Sequence, residues 1–194
     1  MKICFASHNA NKVKEMNEIM PEGISIVGLK DLGITSEIEE TGDTLEENSN
    51  IKASYVFERH KMPVFADDSG LLVSALEGAP GVFSARYAGF ERDDDKNMDL
   101  LLANLANKHD RSASFKTVIT FIDESGNVSQ FDGTVKGEII HEKKGTNGFG
   151  YDPIFQPSGY IQTFAELSTD IKNRISHRAK AVQKLLEYLR QINE

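Results

Sequence analysis

Residues 112–140, SASFKTVITFIDESGNVSQFDGTVKGEII, alternate apolar and polar side chains on either side of a Ser-Gly-Asn turn. A period of two puts one face of each run in a core and the other toward solvent, so the segment predicts a long β-hairpin. Such a hairpin needs another layer to cover its apolar face. Helical periodicity supplies it elsewhere. Val13, Met16, Ile19 and Met20 make one stripe, and Met98, Leu101, Leu102 and Leu105 another over 93–108. Thr44 with Glu47 three residues on forms a capping-box pattern, opening a helix through Ile51, Tyr55 and Val56 to about His60. A last helix starts near Ser176 and carries Ala181, Leu185, Leu186 and Leu189. KICFA (2–6), ISIVGL (24–29) and MPVFADD read as buried strands, the last turning at Ser-Gly into a second apolar run, LLVSAL. Strands interleaved with helices predict an α/β or α+β fold around one sheet, a single domain over 1–194.

The charge balance narrows the function. Against 22 basic residues stand 30 acidic ones, a formal net charge of −8. A dedicated binder of nucleic acid or of a membrane surface shows a basic face, so both are disfavoured as partners. An anionic small ligand is still compatible, because a few lysines and a metal ion reverse the potential locally. No apolar run approaches the roughly 20 residues that span a bilayer. The N-terminal stretch turns polar after five residues, unlike a signal peptide, and a cytoplasmic protein is expected. The single cysteine, Cys4, lies in the apolar KICFA run and reads as a small buried hydrophobe rather than a nucleophile.

Four stretches carry candidate chemistry. SHNANK (7–12) follows the first strand at a helix N-terminus, where backbone N–H groups and the helix dipole attract anions and Lys12 adds a full charge. The same residues also suit an ordinary N-cap. An acidic set, Glu39, Glu40, Glu46, Glu47, Asp67 and Asp68, offers the hard oxygen donors that suit Mg²⁺. Glu47 is accounted for by the capping box. Asp67 and Asp68 end an apolar strand, where open α/β sheets place ligands. Being neighbours on a strand, they point to opposite faces, and only one of them can serve a given site. GTNGFGYDP (145–153) has glycines that let a backbone approach a ligand, and Phe149 or Tyr151 offers a face for a base. KNRISHRAKA (172–181) places Lys172, His177 and Arg178 near a helix start, with Ser176 as its cap. No spacing suggests zinc, a P-loop or a covalent nucleophile.

Taken in order, SHNANK, EETG, LEENSNIKA, ADDSGLLV, GAPGVFSARYAG, GTNGFGYDPIF and ISHRAKA resemble the inosine/xanthosine triphosphate pyrophosphatases, over residues 3 to about 190. The resemblance implies Mg²⁺-dependent hydrolysis of deaminated purine triphosphates (ITP, dITP, XTP) between the α and β phosphates, releasing pyrophosphate and a monophosphate. It also implies an elongated α/β fold, a central mixed β-sheet flanked by helices with two lobes around a long cleft, and a homodimer. By motif position, Ser7, His8, Asn9, Ala10, Asn11 and Lys12 would bind the triphosphate, with Asn48 and Lys52 at its phosphate end. Asp68 would be proton acceptor and metal ligand, Glu39 the second ligand with Glu40 as fallback, and Ser69 a substrate contact. Phe149, Gly150, Tyr151, Asp152, Lys172, His177 and Arg178 would form the nucleoside end. One departure is local: many members carry Thr-Gly-Asn where this chain has Ser7-His8-Asn9. Asp67 is left for the opposite face, expected to brace the turn at Ser69-Gly70. The rival readings are a related pyrophosphatase acting on modified pyrimidine triphosphates and a non-catalytic nucleotide-binding module.

Overall fold

Both faces of the central strands are buried, and that double burial organises the molecule. The structure, a computed structural model, describes residues 1–8 and 10–193, without the side chains of Ala10, Asn11, Glu15 and Asn193. Among the described residues, six strands form one sheet in the order β2-β1-β3-β4-β5-β6: β1 Lys2–Phe5, β2 Ser25–Gly28, β3 Val64–Val73, β4 Ser112–Ile122, β5 Val128–Ile139 and β6 Phe155–Pro157. β1 runs parallel to both β2 and β3, whereas β6 lies antiparallel to β5, so the sheet is mixed. Among the described residues, five α-helices accompany it: α1 Ala10–Ile19, α2 Leu45–His60, α3 Asp94–Asn104, α4 Thr169–Ile175 and α5 His177–Asn193.

The chain divides into two compact units, Met1–Asp68 with Val118–Asp132 and Ala181–Glu194, and Ser69–Thr117 with Gly133–Lys180. In the first unit, period-two alternation sends Ile3, Phe5 and Phe65 into one cluster with Met16 of α1 and Leu185 and Leu189 of α5. Cys4, Ala6, Val64 and Ala66 enter another with Ala53 and Val56 of α2. Register aligns Phe5 with Phe65, and their rings stack 4.6 Å apart. Strands covered on both faces read as continuous apolar runs, which is why KICFA and VFA show no alternation. The second unit packs Leu71 and Val73 of β3, Met98, Leu101 and Leu105 of α3, and Phe115, Phe155 and Phe164 around one core.

Two expectations change, and one helix is added. Ser69-Gly70 is no turn: β3 runs unbroken for 10 residues, and Leu71 takes the first apolar place of the second unit's core. The last helix starts where expected, as α5, but a further short helix, α4, precedes it over Thr169–Ile175. Ser168 caps α4 by accepting from the Ile171 amide, and Ser176 breaks the run in an extended conformation. The Ser176 Oγ then accepts from the Ala179 amide and starts α5, as the sequence led one to expect of it. Ile19, placed in the apolar stripe of α1, is 47% exposed at that helix's last turn.

Candidate active site

The alternation that builds the core also sorts the Asp67-Asp68 doublet. Asp67 continues the Phe65 face of β3, toward α1, and Asp68 continues the Ala66 face, toward α2. Each aspartate meets a lysine on its own side. Lys12 Nζ, in the first turn of α1, stands 3.6 Å from Asp67 Oδ2. Lys52 Nζ, in the middle of α2, stands 3.9 Å from Asp68 Oδ1 and 2.5 Å from Glu40 Oε1. Asp67 therefore holds the lysine of the SHNANK segment rather than a turn at Ser69.

The connector before α2 is fixed from the helix beneath it. Thr44 is the N-cap, its side chain accepting from the Glu47 amide while Glu47 Oε2 accepts from the Asp43 and Thr44 amides. One turn further, the buried Asn48 accepts the Gly42 N–H at 2.8 Å. A Cβ at Gly42 would stand 2.6 Å from Glu47 Cβ and 2.9 Å from Asn48 Oδ1, so only glycine lies flat there. Asn48 and Lys52, four residues apart on one helical face, thus hold Gly42 and Glu40, two residues apart in the connector. Glu40, the fallback, is the carboxylate held against Lys52. Glu39, the expected ligand, is exposed.

Of the SHNANK segment, Asn9 and the side chains of Ala10 and Asn11 lie outside the described residues. Ser7 follows β1, its carbonyl accepting from the Leu29 amide at 3.3 Å. The His8 ring nitrogen Nε2 lies 3.0 Å from the Ser36 carbonyl. That contact ties the segment to the acidic connector.

In the second unit, Asp152 is the hub. Only 4% exposed, it accepts from the Phe149 amide at 2.9 Å and from Lys172 Nζ through the same oxygen, Oδ2. Lys172 reaches it from α4 and lies 4.9 Å from the centroid of the Phe149 ring. Gly148, at φ +80°, makes this possible: a Cβ there would overlap Asp152 Oδ2 and stand 3.1 Å from Lys172 Nζ. The two aromatics of the loop part company. Phe149 is 65% exposed, and Tyr151 is buried, its hydroxyl donating to the Ser84 carbonyl at 2.8 Å. Burial, reinforced by Tyr87 and Asp94, pushes the Tyr151 phenol well above its ordinary range. Tyr151 anchors the loop, and of the two rings Phe149 is the exposed one. Gly150 donates to Asp94 Oδ2 at 2.7 Å. His177 opens α5 with its ring parallel to Phe115, centroids 4.9 Å apart, and Arg178 follows, partly buried. Ser69 hydrogen-bonds Thr117 at 2.7 Å. Asp94 and Phe115 were not legible as site neighbours, because each acts from a distant strand or helix with no local motif.

Cys4 is fully buried, and burial followed by the Asp31 charge lifts its thiol to about 12, which leaves no reactive thiolate. The described residues contain no helix long and apolar enough to cross a membrane.

A chain with these motifs in this order finds its match along nearly its whole length. The Ham1 family model covers residues 3–188. The chain belongs to the Ham1 family. It is 51% identical to the dITP/XTP pyrophosphatase of Flavobacterium johnsoniae, covering 97% of this chain and 98% of that relative. To the protein of the same name from Bacillus subtilis it is 45% identical, over 95% of each. Its fold matches the Ham1 protein of Staphylococcus aureus with a TM-score of 0.94 and 41% identity, covering 98% of this chain and 99% of that one. The nucleoside-triphosphatase / dITP/XTP pyrophosphatase of Mycobacterium abscessus matches with a TM-score of 0.85 and 40% identity, over 96% and 99%. The α/β fold with its mixed sheet is thus that of the Ham1 proteins.

Proposed function

We propose that this chain is a Mg²⁺-dependent pyrophosphatase that hydrolyses dITP, XTP and ITP to the nucleoside monophosphate and pyrophosphate. The observation that carries the reading is the Glu40–Lys52–Asp68 array on the α2 side of β3, with Lys12 held on the other side by Asp67. The names borne by its relatives support the same chemistry. Its setting is read as cytoplasmic and its assembly as a homodimer.

The donor set fits Mg²⁺. Among the described residues no three carboxylate, imidazole or thiol groups gather at one point. Mg²⁺ is commonly held by one or two carboxylates with substrate phosphates and water completing the shell, and Asp68 with Glu40 meets that need. The metal would supply charge neutralisation at the phosphates. The protein's own residues do the rest. Lys12, beside the start of α1, takes up phosphate charge, and Lys52 adds a second ammonium. Asp68 accepts a proton from the attacking water as the water oxygen bonds to phosphorus. The bridging bond between the α and β phosphates then breaks, and pyrophosphate leaves. The exposed Phe149 ring stacks a base. His177, Arg178 and backbone N–H groups donate to the purine O6, a match for hypoxanthine and xanthine that the adenine amino group denies.

Pyrophosphate release from ITP, dITP, XTP, GTP, dTTP and UTP, with Mg²⁺ and with chelator, tests this. Rates concentrated in the deaminated purines and abolished by chelator are expected. A preference for the pyrimidines would favour the pyrimidine rival, and binding without release the sensor module. Asp68→Asn should bind nucleotide yet lose turnover at least about a hundredfold. Near-normal turnover would remove Asp68 from the mechanism.

A further inference from the structure

The array around Lys52 bears on how the site is kept before substrate arrives. Glu40 and Asp68 are both largely shielded, with side chains 25% and 14% exposed, and Lys52, itself 14% exposed, lies between them. Two carboxylates brought close in a shielded place repel one another unless a cation stands between them. Here the cation is a side chain of the protein. Its stem rises from the middle of α2, and its ammonium touches Glu40 at 2.5 Å and Asp68 at 3.9 Å. Lys12 differs: its ammonium pairs with Asp67, on the opposite face of β3.

We propose that Lys52 is the internal counter-cation of the Glu40–Asp68 pair in the nucleotide-free enzyme, and that it gives up this place when a divalent cation takes the two carboxylates. The proposal rests on the reading of Glu40 and Asp68 as the metal-holding pair. Displaced from them, the Lys52 ammonium needs a new anion, and the incoming phosphates provide one. Metal and nucleotide then each relieve a cost the other meets, and linkage requires that they raise each other's affinity by one common factor. Without nucleotide, the lysine competes and divalent binding is weak.

The test uses Mn²⁺ titrated into nucleotide-free protein, with free Mn²⁺ read by electron paramagnetic resonance. Lys52→Met should tighten Mn²⁺ binding at least about fivefold, the lower end of typical coupling factors. Lys12→Met removes the same unit of charge but not from between the carboxylates, so it should shift Mn²⁺ affinity by less than half as much. Should Lys52→Met fold poorly by circular dichroism, Lys52→Gln makes the same comparison. In the wild type, reductive methylation read by peptide mass spectrometry should label Lys52 faster once Mn²⁺ is added. Unchanged or weaker Mn²⁺ binding in the Lys52 variants, an equal gain in Lys12→Met, or unchanged labelling of Lys52 would each overturn the proposal. The titration needs no turnover, so it reads Lys52 even if no triphosphate is hydrolysed, an outcome that would instead defeat the proposed activity.

Discussion

Single positions decide which groups of this chain become chemical. The aspartate doublet is the clearest case: strand alternation made it certain that the two carboxylates part, and the family resemblance picked Asp68. What the second aspartate does was not legible, because its partner Lys12 lies 55 residues earlier and only the β1–β3 register brings α1 beside it. Nor was it legible that Glu40 would lie against Lys52, 12 residues on, while Glu39 is exposed. Gly148 offers the sharpest prediction at this scale. Its positive φ is costly for any other residue, and a side chain there would strike the Asp152 oxygen that holds both Lys172 and the Phe149 amide. Gly148→Ala should therefore raise KM for dITP about tenfold or more, the cost of losing a charge-assisted bond. Kinetics with dITP and with inorganic tripolyphosphate as competitor check it. The competitor's inhibition constant should stay within about twofold, since the Gly148 loop is assigned to the base and not to the phosphates. A shift of both constants together would show that the loop does not act on the base alone.

At the scale of elements, local chemistry was legible wherever a segment carries its own instructions. The α2 capping box is one: Thr44 and Glu47 satisfy amides at both sides of the helix start, and the sequence shows the pattern outright. The 112–140 alternation gave β4 and β5, closed by Asp123, whose carboxylate accepts from the Asn127 side-chain amide and from the Asn127 and Ser125 backbone amides and so sits below its usual range. Segments that depend on distant partners misled. Asp-Ser-Gly has turn composition, yet Ser69 is held by Thr117 and Leu71 by the Ser84 hydroxyl, and the strand continues. β6 has only three residues, too short for periodicity to register. The capping box yields a stability prediction. Thr44→Ala should cost about 1 kcal/mol, a drop of roughly 2–4 °C in Tm for a chain of this size. A thermal melt by circular dichroism reads it. Because Glu40 hangs from the same connector, the variant should also bind Mn²⁺ no better than wild type, which separates a loosened connector from a freed metal site.

Across the whole molecule, a buried acid sits in the core of each compact unit: Cys4 in the first and Tyr151 in the second. The sheet order that places them was beyond sequence reasoning, since β2 lies outside β1 and β3 is reached only across α2. Both acids have their pKa raised by burial, which favours the neutral form in the folded state. The sign follows from linkage. A group whose folded pKa exceeds its unfolded value contributes stability that is whole below the unfolded pKa and is lost as pH climbs toward the folded one. For Cys4 that window runs from its ordinary 9.0 to about 12. Stability should therefore fall progressively above pH 9, and alkylation of Cys4 at pH 8 should proceed only through unfolding. Urea melts across the alkaline range, with iodoacetamide labelling of Cys4 and tyrosinate absorbance followed in parallel, read the thiol of the first unit and the five tyrosines of the chain. Cys4→Ala should flatten the alkaline slope without moving the neutral-pH dependence. If its slope matched the wild type, Tyr151 and the other tyrosines would have to carry the alkaline loss alone, and Tyr151→Phe, which removes the titrating hydroxyl along with its bond to Ser84, should then flatten the slope while lowering stability at neutral pH.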